Sequence, residues 1–219
     1  MRRLDEGTKN RQAWKSPSGG SLHRMKQFKP RLCQIVKQPD VLRRLSEPIQ
    51  LASGEWSHDF IDGKLAVDDP DDFDFVGAAM LAAASEAGVE FDAVGGLVLG
   101  AVPFTFAVSQ AARCKWFLIR KEPKGRGTNL WVEGARILSG TRVMLVDDVV
   151  TTGGSIQAAY ERVCLEGGKV VFATTLVDRG DDASAFFASV GVPYVPLLTY
   201  GDLDIEPVRH GHQPAAAAG

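Results

Sequence analysis

Residues 142–155, with the sequence RVMLVDDVVTTGGS, constrain the fold of this chain more than any other stretch. They place a short apolar run before two adjacent carboxylates, Asp147 and Asp148, and a small, hydroxyl-rich loop after them. A Val-rich run bounded by turn residues is typical of a strand buried on both faces, and the apolar positions of residues 156–165 fit a helix. The stretch therefore predicts a strand, a loop and a helix N-terminus in that order.

The loop at residues 151–155 is a candidate phosphate seat. Such a loop can turn its backbone N–H groups inward, and the helix that follows adds its positive end. A sugar attached to that phosphate would lie back toward the strand, where Asp147 and Asp148 can accept hydrogen bonds from vicinal ribose hydroxyls. No lysine follows the glycines, so the stretch is not a nucleoside triphosphate loop. An ordinary acidic turn before a helix is the alternative interpretation.

This motif resembles the signature of the type I phosphoribosyltransferases, which use 5-phosphoribosyl 1-pyrophosphate (PRPP) and Mg²⁺. Four further segments resemble the orotate branch of that family: LASGEWSHDFID (residues 51–62), GGLVLGAVP (95–103), RKEPKGRG (120–127) and LVDRG (176–180). The resemblance spans roughly residues 30–208. It implies transfer of phosphoribose from PRPP to orotate, which gives orotidine 5′-phosphate and pyrophosphate, as in de novo pyrimidine synthesis.

The resemblance also implies roles for individual residues. The implied PRPP contacts are Arg120, Lys121, Lys124, Asp147, Asp148, Val149, Val150, Thr151, Thr152, Gly153, Gly154 and Ser155. The implied catalytic residues are Asp147, Asp148, Lys121, Lys124 and Arg126, and the implied base contacts are Phe60, Thr151 and Arg179. Arg179 would pair with the carboxylate of orotate, since guanidinium and carboxylate interlock through two hydrogen bonds. Mg²⁺ would be held mainly by substrate phosphates and water, with no metal ligand assigned to the protein.

Cations cluster in residues 120–126, within a segment that has few apolar residues. A basic loop that closes over the departing pyrophosphate is physically sensible, because that group carries concentrated negative charge. A solvated basic loop is the alternative. In the enzymes that this loop resembles, it often reaches across a dimer to the neighbouring site, so the resemblance implies a homodimer.

Two departures from the family pattern leave the identity of the base open. Arg126 stands where the orotate enzymes usually carry a histidine, and Leu99 stands where many members carry a lysine. Arginine can grip pyrophosphate, but it cannot exchange a proton near neutral pH as histidine does. Phe60 and Arg179 also have plain structural alternatives, as a core phenylalanine and as part of a surface salt bridge.

Three functions are therefore consistent with the sequence. They are an orotate enzyme, a phosphoribosyltransferase for another base, and a PRPP-sensing regulator that binds without turnover. The regulator would need a nucleic-acid-binding module, and a formal net charge of -2 gives no electrostatic case for one.

Strands alternate with helices from Ala93 to Leu198, which predicts an α/β fold with a doubly wound, mostly parallel sheet flanked by helices. Residues 30–208 would form the phosphoribosyltransferase domain, and residues 30 to about 66 would form a small hood over the site. Within the hood, residues 30–44 suggest two short helices, and two strands are expected around residues 53–54. Residues 1–29 and 209–219 are expected to be a disordered arm and tail.

Composition favours a cytoplasmic protein with no membrane or nucleic-acid partner. The widely spaced cysteines, Cys33, Cys114 and Cys164, form no metal pattern and fit a reducing compartment. No run approaches the ~18 apolar residues that a membrane-spanning helix needs. The first residues are basic with no apolar core behind them, so no secretory signal is expected. Met1 and Met25 are both candidate start residues.

Overall fold

The computed structural model describes residues 24–123, 130–208 and 211. Six helices and eight strands are present in these residues. In chain order they are α1 (Arg24–Val36), β1 (Leu42–Gln50), β2 (Trp56–Ile61), α2 (Pro70–Glu86), β3 (Ala93–Leu97), α3 (Val102–Ala112), β4 (Lys115–Ile119), β5 (Val132–Gly134), β6 (Arg142–Val150), α4 (Gly154–Leu165), β7 (Lys169–Asp178), α5 (Asp182–Ser189), β8 (Leu198–Thr199) and α6 (Tyr200–Leu203). A short 3₁₀ helix at Gly63–Val67 links β2 to α2.

The main sheet has six strands in the order β5-β4-β3-β6-β7-β8. All its pairings are parallel except that of β5, which lies antiparallel to β4. The chain passes from β3 outward to β4 and then returns to place β6 on the other side of β3, which creates a topological switch point between β3 and β6. The predicted doubly wound, mostly parallel sheet is confirmed. Ligands in such sheets bind beyond the carboxyl ends of the strands at the switch point.

Strand β6 is buried on both faces, as its Val-rich sequence predicts. Met144 and Val146 belong to the hydrophobic cluster shared with α1, α2 and α3. Val143 and Leu145 belong to the cluster shared with α4 and α5. Successive side chains of a strand point to opposite faces, so both hydrophobic clusters pack against the strand that carries the central motif.

The hood contains a separate two-stranded antiparallel sheet formed by β1 and β2. The connecting turn includes Gly54 at φ +90°, which glycine adopts without steric strain. The second short helix expected within residues 30–44 is wrong, because the chain enters β1 at Leu42. Leu42 is opposite Ile61 in this sheet, so strand pairing buries one of the apolar residues whose spacing suggested a helix.

Helix α1 begins at Arg24, so the end of the segment expected to be a disordered arm is helical. The backbone N–H of Met25 donates to Glu86 Oε1 of α2 at 2.7 Å, and the rings of Phe28 and Phe75 lie 5.3 Å apart. These long-range contacts order a polar segment that shows no helical periodicity of its own. Within the described residues, no helix is both long and apolar enough to cross a membrane.

Candidate active site

A cavity of about 820 Å³ lies at the switch point, in the size range of small-molecule sites. It gathers residues of the hood, of the ends of β3, β4 and β6, and of the turn after β7. The predicted site residues that line it are Phe60, Arg120, Lys121, Asp147, Asp148, Val149, Thr151, Ser155 and Arg179. Four others, Val150, Thr152, Gly153 and Gly154, belong to the same motif but are not among the lining residues. Lys124 and Arg126 lie outside the described residues.

The two carboxylates lie within strand β6, because the strand continues past the apolar run to Val150. Asp147 is 4% exposed, and its Oδ1 accepts the backbone N–H of Asp148 at 3.0 Å. Thr175 of β7 donates its hydroxyl to the carbonyl of Asp148 at 2.8 Å. Sheet hydrogen bonds and this side-chain contact therefore fix the backbone that presents both carboxylates.

The two carboxylates have different environments. Burial raises the pKa of Asp147 well above its ordinary value, and the adjacent Asp148 charge raises it further, while Lys121 acts in the opposite direction. Asp148 is half-buried and lies between two glycines, since a Cβ on Gly63 would meet Asp148 Cβ at 2.8 Å and one on Gly100 would meet the Asp148 carboxylate. Asp148 is thus the more accessible acceptor for a ligand hydroxyl, and it has little room to turn away.

The predicted phosphate seat coincides with the start of helix α4. The helix begins at Gly154, and Gly153 before it has φ +79° and provides no side-chain cap. The first N–H groups of a helix have no intrahelical partner, so a phosphate placed here could accept them. Thr151 and Ser155 line the cavity on either side of this turn.

Arg120 and Lys121 lie at the end of β4, on the basic side of the cavity. Arg120 Nη1 lies 3.5 Å from Glu133 Oε1 of β5, and its Nε donates to the carbonyl of Glu122 at 3.3 Å. These are long contacts between partly exposed groups, so they hold the guanidinium weakly.

Arg179 is 1% exposed, so the alternative of a surface salt bridge is wrong. Its Nη1 donates to the carbonyl of Asp59 at 2.7 Å, and its Nη2 donates to Ser57 Oγ at 2.9 Å. Its Nε is buried without a hydrogen-bond partner. Burial lowers the pKa of Arg179, and the Asp59 charge opposes that shift. A buried charged donor without a hydrogen-bond partner carries a desolvation penalty.

The turn that carries Arg179 is held by its neighbours. Asp178 Oδ1 accepts the backbone N–H of Gly180 at 3.1 Å, and its Oδ2 accepts the hydroxyl of Tyr194 at 2.8 Å. Burial raises the pKa of Asp178 to about 6, although these two hydrogen bonds favour its charged form. The sequence pattern gave no sign of this network, because Tyr194 comes from a different segment.

Phe60 of β2 is half-buried and lines the cavity, with the guanidinium of Arg43 4.7 Å from its ring centroid.

Sequence reasoning missed Lys64, which lines the same cavity and forms an ion pair with Asp62 at 2.6 Å. It also missed Gly63, whose contact with Asp148 is described above. Their position just after the DFID segment was the available signal. Leu99, in the turn after β3, is 71% exposed and lines the cavity as well.

Within residues 24–123, 130–208 and 211, no group of three or more His, Cys, Asp or Glu side chains is arranged to hold a metal ion. Asp147 and Asp148 are adjacent carboxylates at the cavity wall, and carboxylate oxygen suits Mg²⁺. They could therefore contribute to a magnesium ion whose other ligands come from a substrate and water.

Comparison with known proteins gives consistent matches over most of the chain. A family model described as a phosphoribosyl transferase domain matches residues 73–185. The orotate phosphoribosyltransferase of Methanothermobacter thermautotrophicus is 37% identical over 173 residues, which cover 79% of this chain and 92% of the relative. The enzyme of the same name from Rhodopseudomonas palustris (strain BisB18) is 40% identical over 162 residues, which cover 68% and 83% of the two chains.

Solved structures match as well. Orotate phosphoribosyltransferase from Mycobacterium tuberculosis, solved in complex with PRPP, has a TM-score of 0.64 at 28% identity and covers 81% of this chain and 99% of that chain. The orotate phosphoribosyltransferase of Aeropyrum pernix has a TM-score of 0.66 at 26% identity and covers 78% and 95%.

Proposed function

Because this chain belongs to the phosphoribosyltransferase family, we propose that it is an orotate phosphoribosyltransferase, which transfers phosphoribose from PRPP to orotate and releases pyrophosphate. The product is orotidine 5′-phosphate, an intermediate of pyrimidine synthesis. The observation that supports orotate as the base is the buried Arg179, whose unpaired Nε belongs to a residue of the cavity wall. A base that carries a carboxylate supplies the acceptor that this guanidinium lacks.

The base would lie between the hood and the turn after β7. Phe60 offers an aromatic face to the pyrimidine ring, and Thr151 lies near both the base and the phosphate seat. Arg179 fixes the orientation of the ring through the orotate carboxylate. An arginine suits this task because its planar fork pairs with a carboxylate in a defined geometry.

The phosphoribosyl group would lie along the end of β6. The amides of residues 151–155 and the N-terminus of α4 bind the 5-phosphate, while Asp147 and Asp148 accept hydrogen bonds from the ribose hydroxyls. Of these two, Asp148 is the more accessible to the ligand. Arg120 and Lys121 face the pyrophosphate, and Lys124 and Arg126 of the same basic loop are expected to join them.

The reaction needs no covalent nucleophile on the protein. As the bond from the anomeric carbon to pyrophosphate breaks, that carbon becomes cation-like and pyrophosphate gains charge. The protein holds the base nitrogen close to the anomeric carbon and places cations around the leaving group. When bound with PRPP, Mg²⁺ neutralises part of the diphosphate charge. Asp147 and Asp148 would contribute carboxylate oxygens to the ion, beside phosphate oxygens and water.

The assembly and location of the enzyme are part of the same proposal. We expect a homodimer in which the basic loop, residues 120–127, reaches the active site of the neighbouring subunit. The loop follows β4, and Arg120 and Lys121 at its start line the cavity. We also expect the enzyme to act in the cytoplasm.

A phosphoribosyltransferase for another base is the second candidate, and Leu99 favours it. This apolar side chain is 71% exposed in the turn after β3, where many members of the family carry a lysine that would face the diphosphate.

One assay separates the candidates. The protein is mixed with PRPP and Mg²⁺, then with orotate, uracil or purines, and pyrophosphate release is followed. Release with orotate alone supports the proposal, release only with another base supports the second candidate, and PRPP binding without release would indicate a regulator.

A further inference from the structure

Arg179 is in contact with two segments far from it in the sequence. The hood supplies the carbonyl of Asp59 and the hydroxyl of Ser57. Residues 205–208, which we call the C-terminal strap, supply the carbonyl of Glu206, which accepts from Arg179 Nη2 at 3.4 Å. The guanidinium therefore lies between the hood on one side and the strap on the other.

The strap is firmly packed against the turn that carries Arg179. The backbone N–H of Val208 donates to the carbonyl of Arg179 at 2.7 Å. Val208 is 4% exposed and Ile205 is 9% exposed, so both ends of the strap are anchored by buried side chains. Arg179 is thus contacted by the strap through its backbone and through its side chain.

The strap also lies close to the phosphate seat and to the hood. A Cβ on Gly180 would be 2.7 Å from the carbonyl oxygen of Thr151 and 3.1 Å from that of Val208, so no side chain fits between them. Beyond the strap, the backbone N–H of Gly211 donates to Glu55 of the hood hairpin at 3.0 Å. Gly211 therefore adds a contact between the C-terminal residues and the hood hairpin.

We propose that the C-terminal strap positions the Arg179 guanidinium for the carboxylate of the base, and so contributes to specificity for an anionic base. This inference rests on the proposed function. Without the strap, Arg179 would lose one side-chain contact, one backbone hydrogen bond and part of its cover from water. Small displacements of a group that orients a substrate have large kinetic effects. The hydrogen bonds described for the strap reach Arg179 and not Asp147 or Asp148, so we expect the KM for orotate to change far more than the Kd for PRPP.

Truncation tests this inference directly. A chain that ends at Ile205 lacks most of the strap, and a chain that ends at Gly211 is the matched control that keeps it. We expect the first truncation to raise the KM for orotate about tenfold and to leave the calorimetric Kd for PRPP within about twofold. The control should match the full chain in both constants. The preference of the enzyme for orotate over uracil should fall only in the first truncation, because uracil has no carboxylate for Arg179.

Two point variants test the strap without truncation, in case the chain that ends at Ile205 does not fold. Val208→Pro removes the N–H that donates to Arg179, while Val208→Ala keeps it and trims the side chain. A larger KM for orotate in Val208→Pro than in Val208→Ala supports the role of the strap. If the strap variants are folded and keep the full-length KM for orotate, the strap has no such role, although the proposed function stands. If the full-length protein releases no pyrophosphate with orotate, the proposed function fails, and this inference fails with it.

Discussion

Asp148 illustrates how the backbone prepares a single residue for binding. Its carboxylate lies between Gly63 of the hood and Gly100 of the turn after β3, and neither position has room for a Cβ. The strand on which it lies pairs with β7 as far as Val150, and the hydroxyl of Thr175 donates to the carbonyl of Asp148. A group held in this way would need no rearrangement to accept the proposed ribose hydroxyls, and such preorganisation favours the transition state.

Asp148→Asn should abolish turnover and leave the fold intact. The amide lacks the charge that strengthens hydrogen bonds from the ribose hydroxyls and that faces a cation-like anomeric carbon. We expect kcat to fall at least about 100-fold, as for loss of a preorganised electrostatic group. Pyrophosphate release measures the activity, and thermal unfolding checks the fold. A folded variant with full activity would remove the ribose role of this carboxylate.

Lys64→Ala should weaken PRPP binding, because Lys64 is a cation at the cavity wall with a 49% exposed side chain, which would attract the anionic ligand. We expect the Kd for PRPP to rise by about threefold to tenfold at low salt, with less effect at high salt because screening weakens the contact. Lys37→Ala is the matched control, since Lys37 forms a similar exposed ion pair with Asp204 but does not line this cavity. Equal effects of the two substitutions would contradict a specific role for Lys64.

At the scale of elements, the predicted site groups cluster near the ends of regular elements. Strand β6 carries the carboxylates close to its end at Val150, helix α4 begins at the predicted phosphate seat, and β7 ends beside Arg179. Asp178, at the end of β7, is buried against Tyr194 and the backbone of Gly180. Its ionisation should therefore affect the stability of this part of the sheet.

Asp178→Asn should make the free energy of unfolding less dependent on pH. The Asp178 pKa is 3.8 in the reference state and about 6 in the fold, so the folded state binds the proton more strongly. The stability from this group is present below pH 3.8 and is lost as the pH rises to about 6. A shift of this size corresponds to at most about 3 kcal/mol.

Urea unfolding of both proteins at pH 4 and pH 7 measures this contribution. The buried Asp147 has the same direction of shift and is present in both proteins, so its effect cancels in the comparison. An identical pH dependence of the wild-type protein and the Asp178→Asn variant would contradict the assignment to Asp178.

At the scale of the whole molecule, the parallel sheet was predictable and the hood was only partly so. The strands β4, β6 and β7 are short apolar runs between turn residues, which local sequence patterns detect. Strand β1 is largely polar and has no such run, and its pairing with β2 includes a register shift between Arg44 and Ile49. The environment of Arg179 depends on contacts with Asp59, which is 120 residues away in the sequence. Local periodicity carries no information about contacts of this kind.

Arg179→Lys should weaken both recognition of the base and the stability of the fold, because Arg179 connects the main sheet to the hood. A lysine keeps the charge but cannot serve Asp59, Ser57 and a carboxylate at once. We expect the KM for orotate to rise about tenfold to 100-fold and the free energy of unfolding to fall by about 1–3 kcal/mol. Steady-state kinetics and urea unfolding test the two parts. An unchanged KM for orotate would argue against carboxylate recognition by Arg179.

The hood hairpin and the main sheet are separately hydrogen-bonded, so the two halves of the substrate site have independent backbone ladders. A two-stranded hairpin alone is only marginally stable in water, so its amide protons should exchange faster than those of β6. When PRPP and a base analogue are bound together, they would contact both the hairpin and the main sheet and so hold the two sheets together. Slower amide exchange in residues 42–61 when both are bound would be the signature of that link.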